Sequence, residues 1–142
     1  MIAPPFAGPL DMDDEKPVFR ILLAEDLKLN QKLTQRLLSR SGYHIDVVEN
    51  GGQAVEAVQS CDYDVVLMDV QMPGVDGLEA TRQIRALPSP KCQVPIIALT
   101  AQANYGAREM CLSAGMDDYI AKPINFDILF TKLSSLAERR QS

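Results

Sequence analysis

The sequence predicts an α/β fold, a doubly wound five-stranded parallel sheet flanked by five helices. Two observations lead there. From Val18 onward, short β-branched apolar runs alternate with longer segments of helical period, the pattern of repeated βα units. The residues of greatest chemical interest fall just after those runs, where strands lead into helices.

The five apolar runs are VFRILLA (18–24), IDVV (45–48), DVVLM (64–68), PIIAL (95–99) and DYIA (118–121). The second and fifth are short or less apolar and are expected at the sheet edges. Leu29, Leu33, Leu37 and Leu38 mark a first helix, with Gly42 placed to close it in a left-handed conformation. Ala54, Val55 and Val58 mark a second, and Leu78, Ile84 and Leu87 a third. Ala107, Met110, Cys111 and Ala114, at helical spacing, give a fourth that ends at Gly115. Asn125 can cap the fifth, whose stripe of Phe126, Leu129, Phe130, Leu133 and Leu136 faces the sheet. The sequence stops soon after at ERRQS, and no second domain is expected.

A length of 142 residues suits one core, placed at residues 18–140. Residues 1–17 contain Pro4, Pro5, Pro9 and Pro17 with four acids and read as a flexible tail or linker. A net charge of −5 and a pI near 4.8 argue against a surface that tracks nucleic-acid phosphates. Cys61, Cys92 and Cys111 form no C-x-x-C pair, so neither a disulfide framework nor a zinc site is suggested, and a reducing cytoplasm fits best. No run approaches the roughly 18 apolar residues of a membrane span, and no membrane contact is expected.

Glu25, Asp26, Asp69, Thr100 and Lys122 are the residues that follow four of the five runs. Three acids at one sheet edge repel each other unless a cation sits among them. Magnesium suits such hard oxygen ligands, with Asp26 and Asp69 fit for direct ligation and Glu25 for a water-mediated role. Lys122 and Thr100 offer an ammonium and a hydroxyl to phosphoryl oxygens, and Asp69 can serve as nucleophile.

These residues resemble the receiver domain of two-component response regulators from about Val18 to Ala137. The resemblance rests on the acid pair in ILLAEDLKLN, VVLMDVQMPGVDG around Asp69, IIALTA with Thr100, and DDYIAKPI with Lys122 and Pro123. It implies the flavodoxin-like receiver fold and transfer of a phosphoryl group from a partner's phosphohistidine to Asp69, which switches or relays a signal. It further implies Mg2+, replaceable by Mn2+, held by Asp26, Asp69 and the backbone carbonyl of Gln71, with Glu25 acting through water. Thr100 and Tyr119 become the switch pair, and the Lys122–Pro123 bond is expected to be cis. Gln71 and Gln102 occupy the positions that tune the lifetime of the phosphorylated state, and Glu25 stands where many members carry Asp. The implied partners are a histidine kinase, a histidine phosphotransfer domain or both, docked on Leu27, Asn30, Leu33 and Ile124. ILLAEDLKLNQ and VPIIALTA resemble receivers of hybrid histidine kinases more than those of DNA-binding regulators, and the Pro-rich tail permits either a free-standing chain or part of such a kinase.

Two other functions are open at this stage. One is a pseudo-receiver that binds partners without taking phosphate, which an intact Asp69, Thr100 and Lys122 disfavour. The other is a magnesium-dependent aspartyl-phosphate hydrolase similar to the haloacid dehalogenase-like phosphatases, which need a second Asp where this chain has Gln71. Beyond accepting the group and autodephosphorylating, no enzymatic turnover is expected. Asp76 and Gly77 read as turn and cap residues of the third helix, His44 as a structural or surface residue, and the cysteines as small buried hydrophobes.

Overall fold

In a computed structural model of the chain, residues 18–72, 74–101 and 104–141 are described. The tail expected over residues 1–17 lies outside them, as do Pro73 and Gln102. Five strands, β1 (Arg20–Ala24), β2 (His44–Val48), β3 (Val65–Asp69), β4 (Ile96–Thr100) and β5 (Asp118–Ala121), pair in parallel in the order β2-β1-β3-β4-β5. The two weaker runs are the edge strands. β3 and β4 are buried at every residue, as strands covered by helices on both faces must be.

Five helices follow the strands in turn: α1 (Lys28–Arg40), α2 (Gly51–Ser60), α3 (Gly77–Arg85), α4 (Tyr105–Ala114) and α5 (Phe126–Gln141). Alternation along the strands divides the core in two. Leu22, Val66, Met68 and Ile96 pack with residues of α2, α3 and α4. Ile21, Leu23, Leu67 and Leu99 pack with Leu38 of α1 and with Leu129 and Leu133 of α5. Each such side chain contributes roughly 1.5–3 kcal/mol on burial.

Helix ends follow the sequence closely. Gly42 and Gly115 have φ of +94° and +111°, the left-handed region that a side chain would strain. The Asn125 side chain accepts from the amides of Asp127 and Ile128, and Asp76 accepts from that of Glu79. The Lys122–Pro123 bond is cis, as is Ser89–Pro90, which the sequence reading did not anticipate.

Two helix stripes differ from expectation. Along α1 the buried residues are Gln31, Thr34 and Leu38, whereas Leu29 is 78% and Leu33 49% exposed. The sheet-facing row carries polar residues near the strand ends, where Gln31 donates its side-chain amide to the Glu25 carbonyl. On α4, Cys111 and Ala114 carry the contact while Met110 points to solvent. Of the cysteines, Cys111 alone is buried, and Cys61 and Cys92 are half-buried.

At the amino end of the sheet, the Tyr63 hydroxyl donates to Asp46 at 2.6 Å, with His44 Nε2 at 3.1 Å and the Arg20 guanidinium at 3.7 Å from the same carboxylate. The Tyr63 bond is the main reason the Asp46 carboxyl lies below its ordinary value of 3.8. A carboxyl whose value falls on folding stabilises above its unfolded value and loses that contribution as pH falls through the folded one. Tyr63→Phe should therefore lower unfolding free energy by about 1 kcal/mol at neutral pH. Urea titrations should find that deficit shrinking once pH passes below the Asp46 value, and a deficit constant with pH would contradict the assignment.

Candidate functional site

Strand order reverses between β1 and β3, and in a doubly wound sheet the crevice for chemistry opens at such a point, beyond the carboxyl ends of the strands. Glu25 and Asp26 follow β1 there, and Asp69 is the last residue of β3. Carboxylate oxygens from the three acids all lie within 4.8 Å of one another. Glu25 and Asp69 are buried, and Asp26 is open to solvent at the rim.

Lys122 reaches this cluster from the β5–α5 loop. Its ammonium lies 2.6 Å from Asp69 Oδ2 and 3.4 Å from Glu25 Oε1. Burial alone would lower the lysine, but the hydrogen bond and charge of Asp69, with the charge of Glu25, raise it above its ordinary value. Burial raises the Glu25 carboxyl, the Leu27 amide bonded to it lowers it, and the neighbouring Asp69 charge raises it again. Three carboxylates against one ammonium leave a formal charge of −2. That charge, and a donor set made of hard oxygens, fit a divalent cation such as magnesium.

Thr100 is buried at the end of β4, and its carbonyl accepts the Lys122 amide at 2.7 Å, so the β4–β5 ladder extends into the loop that carries the lysine. Gln71 is exposed, with its amide 3.1 Å from Asp69 Oδ1. Tyr119 lies on β5 opposite Ala98, half-buried on the sheet face that packs against α2, α3 and α4. Asn30, Leu33, Ile124 and Phe126 line a groove of about 430 Å³ between α1 and the β5–α5 loop, which runs to Lys122. Leu27 is 55% exposed and is not part of that lining. His44 is exposed at the opposite end of the sheet.

Two contributors were not legible as site residues. Gln31 anchors α1 to the backbone of the acidic loop, and its only sequence signal was a polar residue on a helix otherwise marked by leucines. Gly77, read as a turn residue, has no room for a side chain: a Cβ there would stand 2.2 Å from the Asp69 carbonyl oxygen.

The sequence model of the response regulator receiver domain matches residues 21–134. The chain belongs to this family. A Dictyostelium discoideum protein, hybrid signal transduction histidine kinase B, is 48% identical over 115 residues, covering 74% of this chain and 6% of that protein. The receiver domain of the sensor histidine kinase PA1611 from Pseudomonas aeruginosa PAO1, crystallised with a magnesium ion in its active-site cleft, is 44% identical with a TM-score of 0.78, covering 84% and 98% of the two chains. A receiver structure from Saccharomyces cerevisiae, that of Ssk1 in complex with the histidine phosphotransfer protein Ypd1, is 28% identical with a TM-score of 0.76, covering 85% and 90%. This receiver domain spans 6% to 14% of the length of the curated relatives it matches, which include hybrid histidine kinases.

The packing of Gly77 under Asp69 gives a direct test. Gly77→Ala should force the β3–α3 loop away from Asp69 and destabilise the receiver by about 1–3 kcal/mol, the usual cost of overpacking. Thermal unfolding should show the loss, and an unchanged melting temperature would refute the close approach.

Proposed function

We propose that Asp69 accepts a phosphoryl group from a phosphohistidine on a partner protein in the presence of Mg2+, and that the phosphorylated domain switches or relays a signal. The observation that carries this is the buried Asp69 carboxylate at the end of the central strand, paired at 2.6 Å with Lys122 and clustered with Glu25 and Asp26. A carboxylate held this way is fixed in position and has a cation beside it for the incoming phosphoryl oxygens.

In the transfer, an Asp69 oxygen attacks phosphorus in line with the imidazole nitrogen. The new P–O bond forms as the P–N bond breaks, and the electron pair stays on nitrogen. Lys122 neutralises charge on the equatorial oxygens, and the Thr100 hydroxyl donates to another. Asp26, Asp69 and the Gln71 carbonyl would hold the metal directly and Glu25 through a water, with Mn2+ able to substitute. The bound ion supplies charge neutralisation between the acids and the phosphoryl group. Thr100 and Tyr119 then act as the switch pair.

On this reading the domain is a stoichiometric acceptor in the cytoplasm, without turnover of an outside substrate, and its donor is a histidine kinase or a histidine phosphotransfer domain. The complex of the histidine phosphotransfer protein Ypd1 with the Ssk1 receiver supports a donor of the phosphotransfer type. Incubation with acetyl phosphate and Mg2+ should add one phosphoryl group, detected by intact-protein mass spectrometry. Asp69→Asn and chelation should each abolish the gain. No gain in the unaltered protein would leave only a pseudo-receiver, and multiple turnover would favour a hydrolase.

The donor is proposed to dock on Leu27, Asn30, Leu33 and Ile124, beside the groove that leads to Lys122. Leu27→Ser with Ile124→Ser should slow transfer from a phosphorylated phosphotransfer protein by about tenfold or more, a loss of 1.4 kcal/mol or more in the docked transition state. Phosphorylation by acetyl phosphate should persist. Equal slowing with both donors would place the two residues in folding instead of docking.

A further inference from the structure

The outer surface of α1 carries a charge pattern that the acceptor chemistry does not use. Lys28, Lys32, Arg36 and Arg40 recur every fourth residue, and the helix contains no acid. The segment therefore holds +4 while the rest of the chain holds −9. Lys28 is committed to Glu49 at 2.9 Å across the rim of the site. Lys32, Arg36 and Arg40 are exposed, and among the described residues none of their three side chains forms an ion pair or hydrogen bond.

A second row runs parallel to this one. Leu29 and Leu33 are exposed and Leu37 is half-buried, again at a spacing of four. Rows of that spacing are the ridges by which helices pack into each other's grooves. The apolar ridge adjoins the groove leading to Lys122, because Leu33 lines it. A helix laid against the apolar ridge would thus have its flank beside the basic one.

We infer that the basic ridge of α1 selects a phosphodonor whose docking helix carries acidic side chains along one flank, which deepens the phosphotransfer reading above and rests on it. Opposite charges across such a rim act mainly on encounter rate and partner choice, and they weaken as salt rises. The same ridge could in isolation suit an anionic membrane, but its apolar neighbour ends at the phosphate crevice, which favours a protein that must reach Asp69.

Phospho-Ypd1 can serve as the donor in two forms, with exposed positions on the surface it presents to the receiver in the Ssk1 complex changed to Glu in one and to Lys in the other. Transfer to the unaltered receiver should be faster from the Glu form by about tenfold at low salt, the lower end of what steering supplies, and the advantage should shrink in about 0.3 M NaCl. Lys32→Glu with Arg36→Glu should invert the preference, Lys32→Gln with Arg36→Gln should erase it, and both receivers should keep their melting temperature. Equal rates from the two donors, an unchanged preference after charge reversal, transfer from neither donor, or binding to phosphatidylserine vesicles without donor discrimination would each overturn the inference. Failure of acetyl phosphate to label Asp69 would instead count against the acceptor reading itself.

Discussion

An ammonium shared between two carboxylates lets the carboxyl ends of β1 and β3 meet. Two such acids about 4 Å apart repel by about 4 kcal/mol at an effective dielectric near 20, and burial strengthens the effect. Lys122 offsets that repulsion by contacting Asp69 and Glu25 together. It does not cancel it, since Asp26 adds a third charge at the rim. The folded domain thus holds a local negative charge that a cation or an approaching dication–phosphoryl pair can relieve, and this makes the crevice chemically directional.

Backbone ladders that continue past the strands keep the ammonium in place. The Lys122 amide donates to the Thr100 carbonyl, and the Glu25 amide to that of Val48, so both charged loops remain extensions of the sheet. Below Asp69 the loop to α3 is fixed by close approach, with the Gly77 amide on Val70 and the Gly51 amide on Val75. Farther away, Arg85 donates to the carbonyls of Cys92, Val94 and Gly115 and pairs with Asp117, joining the α3–β4 and α4–β5 loops through one guanidinium. Such planar, multidentate contacts add to the apolar anchoring of the same loops by Val94 and Met116.

The sheet was readable because its central strands are continuous apolar runs, and the site because acids in an α/β pattern fall where strands end. Caps at Asp76 and Asn125 were readable for the same local reason, a short polar side chain just before a helix. Legibility failed where the deciding partner is distant in sequence. The lysine clamp of Lys91 on the carbonyls of Val58 and Cys61 spans about 30 residues and leaves no local trace. Gly77 looked like a turn glycine because the carbonyl that excludes its side chain belongs to another element. Leu29 misled in the opposite direction, whereas Leu33, also read as a docking residue, is exposed: helical spacing identifies a face, but not whether the sheet or a partner covers it.

That ambiguity follows from how α1 is built. Its foot is apolar, where Leu38 is fully buried in the cluster that holds Ile21, Leu129 and Leu133. Its head is polar on the same side, with Gln31 buried against the acidic loop and Thr34 buried along the groove that reaches Lys122. A leucine at position 31 would bury more apolar surface but would leave the Glu25 carbonyl without the donor that now reaches it. The helix therefore takes its stability from the foot and gives the head to positioning the acidic loop. Its apolar residues beyond those needs are left on the outside, and there they adjoin the crevice that Asp69 faces.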